Sequence, residues 1–164
     1  MISENEKKVY DALDMLDIPY KRYEHVPVYT IQEIAAVKLD MKGQHCKNLF
    51  VRNHNGKEHY LILVDQEKKV DLKLLAKQIN STRLSFASEE RLQKYLGLTP
   101  GSVTPFGLLN DAEGKITVLI DEDLRNSGQI CFHPNVNTAS ISVSYADFMK
   151  FLNWRGNEYR YVKI

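Results

Sequence analysis

Helical and strand periodicities of apolar residues alternate along the chain, and this pattern predicts a mixed architecture. Polar capping residues stand immediately before several of the helical stretches, where a side-chain oxygen can accept a bond from the first main-chain N–H groups. The first helix is expected to end before Pro19. The residues predicted to cap helices are Ser3, Thr30, Asp71, Ser88 and Ser144.

Extended segments separate these helices, and the clearest pair forms a hairpin. Residues 48–52 and 59–64 flank the pair Asn55-Gly56, which is the strongest short signal for a two-stranded turn. The remaining extended segments are predicted at residues 20–25, 83–86, 116–120, 129–132, 138–143 and 159–164, the last of which closes the sheet.

Helices scattered among hairpins do not give the regular βαβ alternation of a doubly wound sheet. The pattern therefore predicts an α+β fold: a single domain over residues 1–164, with a curved, mixed, largely antiparallel sheet or barrel surrounded by helices. Neither a G-x-G-x-x-G sequence nor a Walker A loop occurs, which argues against a nucleotide-binding fold.

Composition narrows the class of protein. The 164 residues carry a formal net charge of +1, so no strong positive field exists to hold a long DNA duplex. No apolar stretch reaches the roughly 18 residues that a membrane-spanning helix needs. Two cysteines without CxxC spacing indicate neither a disulfide framework nor a zinc site. We expect a cytoplasmic protein, a monomer, with no membrane or DNA partner.

Lys47 stands at the mouth of the predicted hairpin. Alternation places it on the same face as Leu49 and Val51, where an ammonium group is costly unless it is paired or used. Lys47 can extend over apolar surface into water, stabilise developing negative charge as a cation, or act as a base if burial lowers its pKa. The sequence does not separate these roles.

Two further segments carry residues that a packed core does not explain. In the loop Gly101-Ser102-Val103-Thr104-Pro105, glycine permits close approach to the main chain and proline stiffens it, so the loop N–H groups can donate to an oxyanion. His133 precedes Pro134 and is either a structural hydrogen-bonding residue or part of a pocket.

Other candidate groups are weaker. Cys46 with His133 as its base would make a thiol nucleophile, but nothing else in the sequence supports an acyl-enzyme, and small buried cysteines are common. His54 and His59 flank the hairpin turn and are expected to face solvent.

Three stretches resemble the freestanding prolyl-tRNA editing proteins, which are alanyl-tRNA(Pro) deacylases related to the editing insertion domain of bacterial prolyl-tRNA synthetases. The stretches are KNLF at 47–50, TPGSVTPFGLL at 99–109 and FHPNVNTASISVSYADFMKFL at 132–152. The resemblance covers nearly the whole chain, and the three motifs occur in the family's order.

The resemblance implies a mixed domain without metal or cofactor that hydrolyses the ester between a wrong amino acid and the 3′-adenosine. Lys47 matches the family's essential lysine, with Asn48 beside it. Gly101 and Pro105 match the ends of its G-x-x-x-P substrate loop, and His133 matches a pocket histidine. Within the stretch Val28-Tyr29-Thr30, which resembles another pocket-lining segment, Tyr29 and Thr30 are the predicted substrate contacts.

A mechanism consistent with both lines of reasoning has loop N–H groups and Lys47 holding the carbonyl and ribose while water attacks, with the substrate's 2′-hydroxyl as a possible aid. The implied partner is the 3′ acceptor end of an aminoacyl-tRNA, with prolyl-tRNA synthetase as a further candidate. Alternatives are deacylation of Cys-tRNA(Pro) or of Ser-tRNA, and a non-catalytic module that binds aminoacyl-tRNA or a synthetase.

Overall fold

The computed structural model describes residues 2–25 and 43–164, which contain four α-helices and eight β-strands. The helices are α1 (Glu4–Met15), α2 (Leu72–Gln78), α3 (Glu89–Leu96) and α4 (Tyr145–Arg155). The strands are β1 (Lys21–Glu24), β2 (Gln44–Arg52), β3 (His59–Asp65), β4 (Ser85–Phe86), β5 (Ile116–Asp121), β6 (Gln129–Phe132), β7 (Ala139–Ser144) and β8 (Tyr159–Val162). Two 3₁₀ helices span Pro105–Asn110 and Glu122–Asn126.

The predicted caps open the four helices. The side chains of Ser3, Asp71, Ser88 and Ser144 each accept a hydrogen bond from a main-chain N–H two or three residues further on. At the other end of α3, Gly97 adopts φ +64°, a left-handed conformation that suits glycine. The helix predicted after Thr30 lies outside the described residues. No helix in the described ranges is long and apolar enough to cross a membrane.

The strands form one mixed sheet in the order β1-β7-β6-β2-β3-β5-β8, with β4 paired to β2 as well. The β1–β7, β6–β7, β2–β3 and β2–β4 ladders are antiparallel, and the β2–β6, β3–β5 and β5–β8 ladders are parallel. The predicted α+β class with a curved, largely antiparallel sheet is confirmed. The last strand does not close it, however: β8 forms one end of an open sheet.

Apolar side chains cover both faces of the central strands. Leu61 and Leu63 of β3 pack with α1, α3 and α4, whereas Ile62 and Val64 pack with α2. The same alternation in β2 sends Phe50 to the first cluster and Val51 to the second, as the sequence predicts. Among the described helices, α1, α3 and α4 therefore cover one face of the sheet and α2 covers the other.

His59 is buried, so the expectation that it faces solvent was wrong; its neighbour across the turn, His54, is exposed. The ring is 4% exposed and stacks on Phe50, with ring centroids 5.4 Å apart. Arg91 Nη1 donates to His59 Nε2 at 3.1 Å and to the Gly56 carbonyl at 3.1 Å. Burial, followed by the charge of Arg91, lowers the pKa of His59 from 6.5 to about 4.

This depressed pKa predicts a pH-dependent stability. An unfolded chain takes up a proton at His59 near pH 6.5, whereas the folded protein resists it until about pH 4. The contribution of neutral His59 is therefore complete above pH 6.5 and is lost as the pH falls towards 4. Urea denaturation across this range should show the free energy of unfolding falling more steeply for the wild type than for His59→Gln.

His54→Gln is the matched control, because the exposed His54 occupies the same hairpin. Its stability should follow the wild-type pH dependence. Parallel curves for the wild type and His59→Gln between pH 4 and 6.5 would contradict the assignment of this dependence to His59.

Candidate active site

Strand β2 is paired discontinuously along one of its edges. Its β3 edge is paired from Cys46 to Arg52. On the opposite edge, β6 pairs only with Gln44 and His45, and β4 pairs only with Val51 and Arg52. Ala87 N–H also donates to the Phe50 carbonyl at 2.9 Å, so within the described ranges residues 46–49 lie in a gap between two ladders. An interrupted edge of this kind exposes a strand to groups other than a neighbouring strand, and Lys47 and Asn48 lie in it.

Lys47 is partly buried and projects from the face that also carries Leu49 and Val51. Its main-chain partner across the hairpin is Val64. Among the ion pairs of residues 2–25 and 43–164, none involves Lys47. The ammonium group thus has no carboxylate partner within these ranges, and it is available to an anionic or carbonyl group of a ligand.

Asn48 joins this strand to the predicted substrate loop. Its Nδ2 donates to the main-chain carbonyl of Val103 at 3.1 Å. The side-chain oxygen Oδ1 is buried and has no hydrogen-bond partner among the described residues. A buried amide oxygen without a donor is costly, so it is a candidate acceptor for a donor group on a ligand or for water.

The loop from Gly101 to Pro105 holds its own shape. Gly101 is exposed and adopts φ +91°, which an L side chain rarely tolerates. The hydroxyl of Ser102 donates to the Thr99 carbonyl at 2.9 Å, and Thr104 caps the 3₁₀ helix that begins at Pro105. Since Ser102, Thr104 and Pro105 are all buried, a ligand would meet the loop mainly through Gly101 and the main chain.

His133 follows directly after β6. Parallel pairing of His45 with Cys131 puts these two residues on one face of the sheet. Lys47 and His133 each lie two positions further along, so they project to that same face. His133 Nδ1 lies 3.0 Å from the Ala139 carbonyl and 3.3 Å from the Ser140 hydroxyl. Burial lowers the pKa of His133, which favours a neutral ring at pH 7.

The predicted residues thus lie on two faces of the sheet at the β2 gap. Asn48 is bonded to the loop, while Lys47 and His133 share the opposite face of the sheet. No hydrogen bond in the described part of the chain joins Lys47 to the loop. The predicted contacts Tyr29 and Thr30 lie outside the described residues.

The cysteine chemistry is disfavoured by its surroundings. Burial, reinforced by the nearby Cys131 thiol, raises the pKa of Cys46, so its thiol stays protonated at neutral pH. A protonated thiol is a poor nucleophile.

In the described ranges, no group of three or more His, Cys, Asp or Glu side chains is arranged to hold a metal ion.

Sequence reasoning missed two polar residues beside His133. His25 Nε2 lies 2.9 Å from the hydroxyl of Ser140, which in turn contacts His133 Nδ1. Ser140 is 7% exposed in β7. The available signal was the alternation of Ser140 and Ser142 with apolar Ile141 and Val143, which marks a polar face on a buried strand.

A separate surface cleft of about 590 Å³ contains none of the predicted site residues. It is lined by Lys73, Ala76, Lys77, Ser81, Arg83 and Leu84. Its three cationic side chains make it an electropositive depression beside α2.

Comparison with known proteins identifies the family to which this chain belongs. Residues 25–151 match the family described as the aminoacyl-tRNA editing domain. The prolyl-tRNA editing protein ProX of Acetoanaerobium sticklandii is 43% identical over 159 residues, which cover 97% of each chain. The mouse prolyl-tRNA synthetase associated domain-containing protein 1 is 31% identical over 160 residues, covering 95% of this chain and 94% of that protein.

A crystal structure described as a candidate trans-editing enzyme for prolyl-tRNA synthetase shares the fold. The structural alignment covers 100% of this chain and 99% of that protein, with a TM-score of 0.73 and 21% sequence identity.

The chain therefore belongs to the aminoacyl-tRNA editing domain family, a class of hydrolases that deacylate aminoacyl-tRNA, and the resemblance found in the sequence is confirmed. Within that family it is related over nearly its full length to the prolyl-tRNA editing proteins.

The backbone conformation of Gly101 predicts that Gly101→Ala lowers both the stability and the activity of the protein. Gly101→Ala places a Cβ on a residue with φ +91°, at a cost of about 1–3 kcal/mol. Because relief of this strain would displace the loop that Asn48 holds, both the melting temperature and the rate of aminoacyl-tRNA deacylation should fall.

Gly114→Ala is the control, because Gly114 also has a positive φ, +65°, and a Cβ there would meet no atom within 4 Å. It should lower the melting temperature without slowing deacylation. Equal activity of the two variants would show that the shape of the Gly101 loop does not matter to the reaction.

Proposed function

We propose that the protein is a cytoplasmic trans-editing hydrolase that deacylates mischarged Ala-tRNA(Pro). The aminoacyl ester is bound at the β2 gap, and water attacks its carbonyl carbon. Lys47 and the main chain of the loop stabilise the oxyanion, Asn48 positions the loop, and His133 lines the aminoacyl pocket. Loop residues 101–105, together with Tyr29 and Thr30, complete the proposed substrate contacts.

The observation that carries this proposal is the position of Lys47 and Asn48 in the interrupted edge of β2. Asn48 ties the glycine–proline loop to that edge, with 3.1 Å between its Nδ2 and the Val103 carbonyl oxygen. The parallel β2–β6 register brings His133 to the face that carries Lys47. Three segments that are distant in sequence thereby border one break in the sheet, which is a common setting for a binding cleft.

Hydrolysis of an aminoacyl ester needs few catalytic groups from the protein. An aminoacyl ester is already activated, so a positioned water and stabilisation of the tetrahedral oxyanion are sufficient. As water attacks, its oxygen bonds to the carbonyl carbon and the carbonyl electrons move to oxygen. Collapse of the intermediate breaks the bond to the ribose oxygen, which takes up the proton that the attacking water gives up. A fixed ammonium such as Lys47 favours the charge that develops in the first step.

The need for such an enzyme follows from the size of alanine. A synthetase pocket made for proline cannot exclude a smaller amino acid by shape, because each missing methylene gives only about 1–3 kcal/mol of discrimination. A second, smaller pocket that admits alanine and rejects proline corrects the error. The relative named a prolyl-tRNA editing protein supports this substrate class for the present chain.

The proposed partner is the 3′ acceptor end of the tRNA, bound by a monomer. A net charge of +1 is too small for extensive wrapping around a nucleic acid. The name of the mouse relative refers to prolyl-tRNA synthetase, which supports that synthetase as a second partner.

Loss of the Lys47 ammonium should remove most of the activity. By analogy with deletion of one oxyanion donor, Lys47→Ala should lower the single-turnover deacylation rate on Ala-tRNA(Pro) by about 10²-fold or more. Lys47→Arg keeps the positive charge, so it should retain more activity if the residue acts as a cation and little if it acts as a base.

Lys57→Ala serves as the control, since Lys57 is an exposed lysine at the far end of the same hairpin. It should deacylate at the wild-type rate. Unchanged turnover in folded Lys47→Ala would remove this lysine from the mechanism.

Substrate discrimination distinguishes the proposal from its alternatives. We expect Ala-tRNA(Pro) to be hydrolysed rapidly while Pro-tRNA(Pro) is spared, because the pocket is sized for the smaller side chain. Parallel assays with Cys-tRNA(Pro) and Ser-tRNA test the other specificities. Equal hydrolysis of alanyl and prolyl esters would rule out this editing role, and binding without hydrolysis of any substrate would indicate a non-catalytic module.

A further inference from the structure

The polar contacts of His133 extend beyond the residues assigned to the site. The chain of contacts runs from His133 Nδ1 to the Ser140 hydroxyl at 3.3 Å, and from that hydroxyl to His25 Nε2 at 2.9 Å. The rings of His25 and His133 also meet edge to face, with centroids 6.0 Å apart and an interplanar angle of 62°. Three polar side chains from three different segments thus contact one another beside His133.

The Ala139 carbonyl fixes where the protons lie. A carbonyl oxygen only accepts, so His133 Nδ1 at 3.0 Å must carry the hydrogen. A neutral ring with its proton on Nδ1 has a free lone pair on Nε2. The Ser140 hydroxyl then receives a second, longer contact from the same N–H. Its own proton is left to donate to His25 Nε2, so every member of the chain has a compatible role.

The position of His25 in the chain adds a second connection. Its main-chain N–H donates to the Thr138 carbonyl at 2.9 Å, so His25 is attached to the β7 region by main chain and side chain together. Residues 28–30, the predicted pocket-lining segment, follow only three positions later in the sequence. The main chain of His25 therefore continues the β1–β7 pairing and holds the imidazole beside the strand that carries Ser140.

We propose that His25 and Ser140 are positioning residues that hold the Nδ1–H form of the His133 ring in the orientation in which Nε2 accepts a hydrogen bond from a donor group of the bound aminoacyl ester. This inference rests on the proposed function for the identity of the ligand. The ring arrangement itself does not depend on it. His25 and Ser140 need not touch the substrate, because they act through His133.

The ring arrangement is measured without any substrate. Long-range proton–nitrogen spectra of the imidazole nitrogens distinguish the two neutral forms, and the chain has only five histidines to assign. Wild-type His133 should show a protonated Nδ1 and a bare Nε2. In His25→Phe and Ser140→Ala the proton should stay on Nδ1, because the Ala139 carbonyl still accepts it, but the His133 nitrogen signals should shift and broaden as the ring loses a contact that orients it. His54→Gln, at an exposed site, should leave them unchanged.

The second experiment is a double-mutant cycle that combines substitutions of His25 and His133 and measures the rate of deacylation. His25→Phe should lower kcat/KM about tenfold, by analogy with loss of a partner that orients a ligating histidine. His25→Gln can place an amide oxygen, which also accepts from the Ser140 hydroxyl, near the position of Nε2 and should recover most of that loss. In a His133→Ala background, His25→Phe should have no further effect, because its role passes through the missing ring.

The two arms separate failure of this inference from failure of the proposed function. A wild-type His133 with its proton on Nε2, or nitrogen signals unmoved by His25→Phe and Ser140→Ala, would overturn the positioning role even in an active enzyme. Additive losses in the His133→Ala background would also overturn it and indicate a purely structural role. If no aminoacyl-tRNA is hydrolysed, the proposed function fails, and the nitrogen spectra still decide whether His25 and Ser140 orient the ring.

Discussion

The site depends on the way strand β2 shares its hydrogen-bonding edges. One edge is committed to β3 along the length of the hairpin, while the other is divided between β6 at Gln44–His45 and β4 at Val51–Arg52. The residues between these two pairings remain in a strand, because they are still paired with β3. Lys47 and Asn48 therefore have fixed directions while one edge beside them is open, a combination that a continuous sheet would not provide.

Because side chains alternate along β2, Asn48 and Lys47 project from opposite faces of the sheet. Asn48 points towards the core side and holds the Gly101–Pro105 loop, whereas Lys47 points to the face where His133 lies. The face that carries Lys47 changes character across the sheet. It is apolar under α2, where Ile62 and Val64 pack, and polar on β7, where Ser140 and Ser142 lie. A polar ligand is better accommodated at the second half, because its groups find hydrogen-bond partners there.

Local signals in the sequence predicted much of the fold. Capping residues and the Asn55-Gly56 turn act within a few residues of themselves, so they located the helices and the hairpin correctly. The pairing of β2 with both β6 and β4 depends on residues far apart in the chain, and no local signal records it. The open end at β8 and the burial of His59 under Tyr95 and Phe50 escaped prediction for the same reason. The residue pattern and the family resemblance both pointed to Lys47, the loop and His133. Ser140 left only the signal of a polar position on a buried strand, and the place of His25 becomes visible only when the strands are aligned.

The central claim is that the gap in β2, bordered by Lys47, the glycine–proline loop and His133, receives the aminoacyl ester. The most direct measurement is a crystal structure with a non-hydrolysable 3′-alanylamido-adenosine bound. The account predicts its carbonyl oxygen within hydrogen-bond reach of Lys47 or a loop N–H, with the alanyl group beside His133. An analogue bound only in the cleft of Lys73, Lys77 and Arg83, with the β2 gap closed by other protein groups, would contradict it.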